Sequence, residues 1–326
     1  MHATTGNWRR GFALALTTAF CWGLLPIALK QLLGGMDAIT VTWYRLMTAG
    51  LALGVYLTWR RRLPTLPALR SRAAALCVVA TIGLAGNYVL YLLALDLTTP
   101  TVAQIIGQVS PLFLLAGGLL VFGERLSRLQ WLGMAALIAG LAIFFHDRLA
   151  ELASFDSRLA LGGAMMVAGS MVWATYALAQ KQLLTHYGSA QVLLMIYLGS
   201  IPLLAPWSHV SQLAELDLAQ LALLAFCCLN TLVAYGCFAE ALDHWQVSRI
   251  GAVVALAPLL TIVFVHLLAA ISPERFAAEP LTLVHVLGAC LVVAGSITCA
   301  LGAAADEPTG AMPEISPDST QPAAEA

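Results

Sequence analysis

The chain has 326 residues, of which 60% are hydrophobic and only 10% charged, with a formal net charge of −1 and a mean hydropathy of +0.85. Soluble domains carry about 25% charged residues, so this composition excludes a water-soluble globular protein. No basic patch is available for a nucleic-acid partner.

Apolar stretches predict ten membrane spans, at 11–30, 37–59, 73–95, 99–121, 129–146, 158–181, 188–208, 218–242, 246–270 and 281–302. Most approach the ~20 residues that cross ~30 Å of hydrocarbon at 1.5 Å per residue. The fifth is short, and nine is the competing count. Seven cysteines, at 21, 77, 227, 228, 237, 290 and 299, all fall within these spans without a C-x-x-C or Cys/His cluster. They read as small packing residues, with no disulfide, metal or cofactor expected.

The first span follows Arg9-Arg10 and contains Ala13-Leu14-Ala15, which together mimic a secretory leader. That cleavage site would come too early in the apolar stretch, so the span is expected to be retained. Thr18, Trp22 and Pro26 share one of its faces. The second span carries Arg45, about eight residues in. A cation there costs on the order of 2.5–3.5 kcal/mol on insertion scales, so it needs a partner or water. It is either an anchor for an anionic group, such as a carboxylate, or an arginine held by backbone carbonyls. Gly50-x-x-x-Gly54 in the same span permits close helix approach, within the chain or between two copies.

The third span presents Asn87, Tyr88 and Tyr91, and the fourth presents Thr101, Gln104 and Gln108 at i, i+3, i+7 spacing. The sixth carries Ser170, Trp173, Tyr176 and Gln180, and the eighth carries Asn230, Thr231 and Phe238. Such faces have two readings. Either they line one central cavity with amide groups and aromatic walls, or they are interhelical hydrogen bonds worth about 0.6–2 kcal/mol each. Five helices show them, which favours the cavity for the set. The expected binding residues are Trp22, Arg45, Asn87, Tyr88, Tyr91, Gln104, Gln108, Trp173, Tyr176, Asn230 and Tyr235.

Pro111 and Pro258 occupy equivalent positions in the fourth and ninth spans and are expected as hinges, since each removes a helix donor. Asp96, Glu124, Glu240, Asp243 and Glu274 all fall near span ends, so no buried carboxylate proton relay is expected. His266 and His285 near the outward ends of spans nine and ten read as structural. Residues 303–326 are acidic, with Pro, Ser and Thr and no Lys or Arg, and are expected to be a disordered cytoplasmic tail.

The chain also repeats itself. Ala19–Leu32 lies over Ser170–Leu183 without gaps, matching Trp22 to Trp173 and Lys30-Gln31-Leu32 to Lys181-Gln182-Leu183. Tyr88–Leu112 lies over Tyr235–Leu259, matching Tyr88 to Tyr235 and Pro111-Leu112 to Pro258-Leu259. An odd number of spans duplicated in one chain runs in opposite senses through the membrane. The expectation is an all-α integral membrane protein of ten transmembrane helices in two inverted five-helix repeats, residues 1–151 and 152–302. With both termini cytoplasmic, eleven Lys and Arg face inside, and four face outside: Lys30, Arg148, Arg158 and Arg275.

The motif order resembles the drug/metabolite transporter superfamily, EamA type. Trp22-Gly23, Tyr44-Arg45 and Ser110-Pro111 through Gly123-Glu124-Arg125 carry the likeness, with Leu132-Gly133 to Ala139-Gly140. The second half repeats Ala257-Pro258 and Leu287-Gly288 to Ala294-Gly295, and departs at Ser272-Pro273-Glu274-Arg275. The resemblance implies a bacterial inner-membrane carrier that exports small metabolites, often amino acids or related amphiphiles, by rocking its halves about a central cavity. The expected partners are a small-molecule solute and membrane lipids, as a monomer or homodimer. A phospholipid translocator is the alternative. An intramembrane enzyme is less supported, because Gly-x-Ser-x-Gly, His-Glu-x-x-His and paired intramembrane aspartates are absent, so no catalytic residue is assigned.

Overall fold

The computed structural model describes residues 7–65, 71–123, 125–154, 157–277 and 279–305. Every regular element among them is helical. The first half contains α1 (Trp8–Leu32), α2 (Ala38–Trp59), α3 (Arg72–Leu97), α4 (Pro100–Gly107), α5 (Ser110–Phe122) and α6 (Arg128–Phe144). A one-turn helix, α7 (Leu149–Ala153), leads to α8 (Arg158–Leu183), α9 (Ser189–Leu204), α10 (Leu218–His244), α11 (Val247–Val254), α12 (Ala257–Ile271) and α13 (Leu283–Ala305). Among the described residues, nine segments are long and apolar enough to cross a membrane. The remaining expected span, the fifth, is α6, with 17 residues. At 1.5 Å per residue it covers roughly 26 Å, short of ~30 Å of hydrocarbon.

Helix starts follow from local chemistry. Ser71 and Ser157 accept the backbone N–H groups of Ala74 and Ala160. Ser127 with Gln130, and Asp217 with Gln220, form reciprocal capping boxes. At the far end of α3, Lys30 Nζ donates to the carbonyls of Leu95 and Asp96 at 2.9 and 2.7 Å, which suits the negative end of a helix.

The fourth and ninth predicted spans are each two helices rather than one. The chain breaks at Gln108-Val109 between α4 and α5, and at Ala255-Leu256 between α11 and α12. Pro111 and Pro258 stand in the first turn of the second piece, where a missing N–H is tolerated. The carbonyl of Gly107, which Pro111 cannot serve, accepts Ser110 Oγ at 2.7 Å instead. A second difference lies at the C-terminus. Helix α13 continues to Ala305, past the expected start of the tail at 303, and residues 306–326 lie outside the described residues.

Packing is duplicated and interlaced. The most extensive helix pairs all join one half to the other: α6 with α13, α3 with α8, α1 with α10, and α2 with α9. The α1–α10 and α3–α8 pairs are equivalent under the repeat. The α6–α13 seam is built on glycine. A Cβ on Gly133, Gly140, Gly288 or Gly295 would stand 2.5–2.6 Å from a backbone nitrogen of the opposite helix. These glycines recur every seven residues on both helices, so two backbones lie against each other along one stripe. Gly50 and Gly54 serve the same end within the chain, facing Tyr197 and Leu194 of α9.

Asp37 fixes the start of α2. Its Oδ1 accepts the N–H groups of Ile39 and Thr40 at 2.9 and 3.0 Å, and its Oδ2 accepts Thr40 Oγ1 at 2.6 Å. Thr40 Oγ1 in turn accepts the backbone N–H of His209 at 2.8 Å, tying the loop after α9 to the loop before α2. Burial works against the carboxylate, but the bonds from Thr40, His209 and Ile39 outweigh it and hold Asp37 below the ordinary carboxylate range. A depressed carboxylate stabilises the fold above its unfolded pKa near ~3.9, and that contribution is lost as pH falls through the lower folded value. Asp37→Asn should therefore lower the melting temperature in detergent at neutral pH. The difference from the parent protein should shrink as pH falls below ~4, and a constant difference would contradict the assignment.

Candidate solute site around Arg45

Arg45 projects from the second turn of α2 into the interior, where it is 3% exposed. Its Nε donates to Thr231 Oγ1 of α10 at 3.2 Å, and Thr231 Oγ1 donates to the Cys227 carbonyl at 2.9 Å. The guanidinium lies 4.7 Å from the ring centroid of Tyr88 on α3, a cation–π contact that partly replaces hydration. Tyr88 donates its hydroxyl to that of Tyr235 at 3.1 Å. Tyr235 meets Trp22 of α1 edge to face at 5.7 Å, and Trp22 stacks on Phe238 at 6.0 Å. Helices α1, α2 and α3 of the first half thus meet α10 of the second half around one cation.

Two absences define its chemistry. Among the described residues, Arg45 has no carboxylate partner, and its four Nη–H donors make no hydrogen bond. An uncompensated charge in such a place is expensive. Tyr91 and Tyr197 lie within electrostatic reach of the guanidinium. Tyr88, Tyr176 and Tyr197 share a buried cluster, with Trp173 and Tyr235 packed against it.

The predicted amides have a different setting. Asn87 Nδ2 donates to the Gly169 carbonyl at 3.0 Å, joining α3 to α8. Gln104 Nε2 donates to the Trp22 carbonyl at 2.7 Å, and Asn230 Nδ2 to the Cys21 carbonyl at 2.8 Å. Thr261 Oγ1 reaches the next carbonyl, that of Gly23, at 2.8 Å. Three consecutive α1 carbonyls therefore receive donors from α10, α4 and α12. Pro26 explains the middle one, since it has no N–H for the Trp22 carbonyl four residues earlier. Gln108 lies apart, at the α4–α5 break, where its Oε1 accepts Ser296 Oγ of α13 at 2.8 Å. One amide atom, Asn230 Oδ1, is buried without a donor.

Arg45, Tyr88, Tyr235 and Trp22 form one chain of contacts, with Trp173 and Tyr176 in the surrounding cluster. Asn87, Gln104 and Asn230 bridge helices. Pro111 and Pro258 stand at the two helix breaks. Tyr197, which belongs to that cluster, is not among the residues the sequence singled out. An aromatic side chain with a polar tip among aliphatic neighbours was the available signal. Thr231 was placed on a polar face, but nothing in its spacing named Arg45 as its partner. Two depressions lie elsewhere, at the end where α1, α3 and α6 finish. One is lined by Asp37, Asp96 and Gln212, the other by Arg148, Glu279 and His285. At the opposite end Arg10 Nη2 pairs with Glu240 Oε1 at 2.8 Å, and Trp245 lies against Phe12. Among the described residues all seven cysteines are free. Glu124 and the side chain of Asp243 lie outside the description.

Among the described residues, nine apolar segments and the shorter α6, packed as a duplicated unit around a buried cation, define a polytopic membrane protein with a two-repeat architecture. The EamA-like transporter family model matches this chain twice, over residues 9–146 and 160–300. The chain belongs to that family. It is 40% identical to the "Uncharacterized transporter" of Haemophilus influenzae, over 90% of this chain and 95% of that protein. It is also 40% identical to the "Uncharacterized inner membrane transporter YhbE" of Escherichia coli (strain K12), over 90% and 91%. A "Probable amino-acid metabolite efflux pump" of Salmonella typhimurium is 24% identical, over 88% and 93%. One crystal structure matches 92% of this chain and 99% of its own with a TM-score of 0.61 at 19% identity, a likeness of fold alone.

Proposed function

We propose that this transporter exports a small amphiphilic solute bearing a carboxylate, such as an amino acid or a close relative, from the cytoplasm across the inner membrane. The observation that carries the reading is Arg45: a buried cation with four unused donors and no carboxylate of its own among the described residues. A solute carboxylate would supply the missing charge in a bidentate geometry suited to guanidinium. Trp22, Tyr88, Tyr235 and the neighbouring Trp173 and Tyr176 offer apolar walls for the rest of the molecule. The name of the Salmonella relative, a probable amino-acid metabolite efflux pump, supports the solute class. The excess of Lys and Arg on one side supports cytoplasmic termini. No catalytic step is assigned, and the unit works as a monomer or homodimer.

The interlaced packing refines the mechanism. Since α1 packs on α10 and α3 on α8, each rocking body would contain helices from both repeats rather than one repeat alone. The breaks before Pro111 and Pro258 would absorb the bending.

The test is movement of a labelled panel into proteoliposomes of known orientation, with and without a pH gradient. The panel holds amino acids, their decarboxylated amines, sugars and short-chain phospholipids. Saturable movement of the carboxylates but not of the amines is the expected result. Movement confined to phospholipids would replace this reading with lipid translocation.

A further inference from the structure

Three metal-ligating side chains meet where α6 ends and α13 begins. His146 and Asp147 follow the C-cap of α6, Phe145, and His285 stands in the first turn of α13. One donor atom from each lies within 4.8 Å of the other two. Asp147 Oδ1 is 3.2 Å from His285 Nε2. His285 is 3% exposed, whereas the Asp147 side chain is 45% exposed and His146 lies open to solvent. The cluster thus has a buried wall and an open mouth.

We propose that His146, Asp147 and His285 bind a divalent transition-metal ion, with zinc as the representative, that joins the end of α6 to the start of α13. Two imidazoles and a carboxylate are a ligand set that zinc accepts, leaving a fourth place for water. A zinc tetrahedron with bonds of about 2.0–2.1 Å has edges of roughly 3.3 Å. The Asp147–His285 pair already stands at that spacing, and the His146 donor atom, within 4.8 Å of both, needs only a small shift of its exposed side chain to complete the set. His146 Nδ1 lies 2.9 Å from the Ile143 carbonyl. Only an N–H can bond there, so Nε2 keeps its lone pair for the ion, the usual arrangement of a ligating histidine.

His285 sets the strength of the site. Without metal its Nδ1 accepts the Thr282 backbone N–H at 3.1 Å, so its Nε2–H faces Asp147. Metal at Nε2 requires that proton to move to Nδ1, where Thr282 Oγ1, 2.7 Å away, accepts it. The backbone N–H of Thr282 then loses its acceptor. Binding therefore competes with the cap of α13 and is weaker than in a closed structural zinc site.

The experiment is zinc titration of the tag-free, full-length protein in detergent by calorimetry, with cobalt(II) absorption reporting the coordination. The expected result is one ion per chain and a higher melting temperature with zinc. His146→Ala and Asp147→Asn should each weaken zinc by more than the 10–100-fold that loss of an outer partner costs. His146→Ala should lower the metal-free melting temperature only slightly, because His146 is exposed and its one hydrogen bond serves the last turn of α6, whereas it should remove the added stability that zinc confers. Absence of binding at submillimolar zinc, or binding that His146→Ala leaves intact, would overturn the proposal and leave a hydrogen-bonded helix cap.

Discussion

Arg45→Gln is expected to abolish saturable transport of a carboxylate solute while making the empty protein more stable. Removing one partner of a buried charge pair costs about 3–5 kcal/mol, which corresponds to a loss of roughly 100-fold or more in solute affinity. The empty protein experiences the opposite change. It carries a desolvated guanidinium held by one hydrogen bond and one tyrosine face. Replacing buried charge with neutral groups of similar volume is often neutral or stabilising by 1–4 kcal/mol. Activity and melting temperature should therefore move in opposite directions, as expected of a group retained for function. Arg45→Lys keeps the charge but loses the planar stack on Tyr88 and the Nε bond to Thr231, so partial recovery is expected. Radiolabel uptake and thermal melting on the same preparations test both arms. Unaltered transport and solute preference in folded Arg45→Gln protein would remove the carboxylate anchor from the scheme.

Gly140→Leu should force the α6–α13 seam apart. A Cβ at residue 140 would stand 2.5 Å from the backbone nitrogen of Val292 and 2.9 Å from the Gly288 carbonyl. Backbone cannot rotate away as a side chain can, so the helices must separate. Overpacking costs typically 1–3 kcal/mol, and separation also breaks the paired contacts at Gly133 and Gly295. Loss of the monodisperse folded peak in detergent chromatography is the expected result. Gly236→Ala is the control, since a Cβ there meets nothing within 4 Å. Helix propensity favours it by about 1 kcal/mol. Equal behaviour of the two variants would mean that the seam is not a close backbone contact.

Much of the fold was legible because lipid imposes it. Spans follow from apolar length, and the duplicated Trp22/Trp173 and Pro111/Pro258 disclosed the repeat. The glycines of α6 and α13 were visible as motifs, but their partners were not. Periodicity says which face of a helix is special without naming the helix that meets it. The interlaced pairing of α1 with α10 and α3 with α8 was therefore out of reach. So was the difference between kinked and broken helices, because Pro111 and Pro258 fit either.

The site was legible in part. Arg45 and Tyr88 stood out because charge and aromatic polarity are scarce in a span. The roles of Gln104 and Asn230 could not be read from spacing. Both serve carbonyls beside the one that Pro26 leaves unserved, or that carbonyl itself, and this depends on which helices touch α1. His285 and Asp147, 138 residues apart, were likewise invisible as neighbours. The sequence reading expected no metal ligand set, since no Cys/His cluster occurs along the chain.

The interlaced packing also bears on how the protein is made. Tyr88 and Tyr235 lie 147 residues apart, and Gln130 and Cys299 lie 169 apart. At a synthesis rate of about 5–20 residues per second, α6 waits on the order of 10 s in the bilayer before α13 emerges. During that time its glycine stripe faces lipid, and α1 and α3 lack their principal neighbours. A ribosome that stops after the first repeat leaves an inserted half with nothing to pack on except a second half from another chain. The two halves expressed as separate polypeptides should therefore find each other, and either one made alone should be a target for membrane proteolysis.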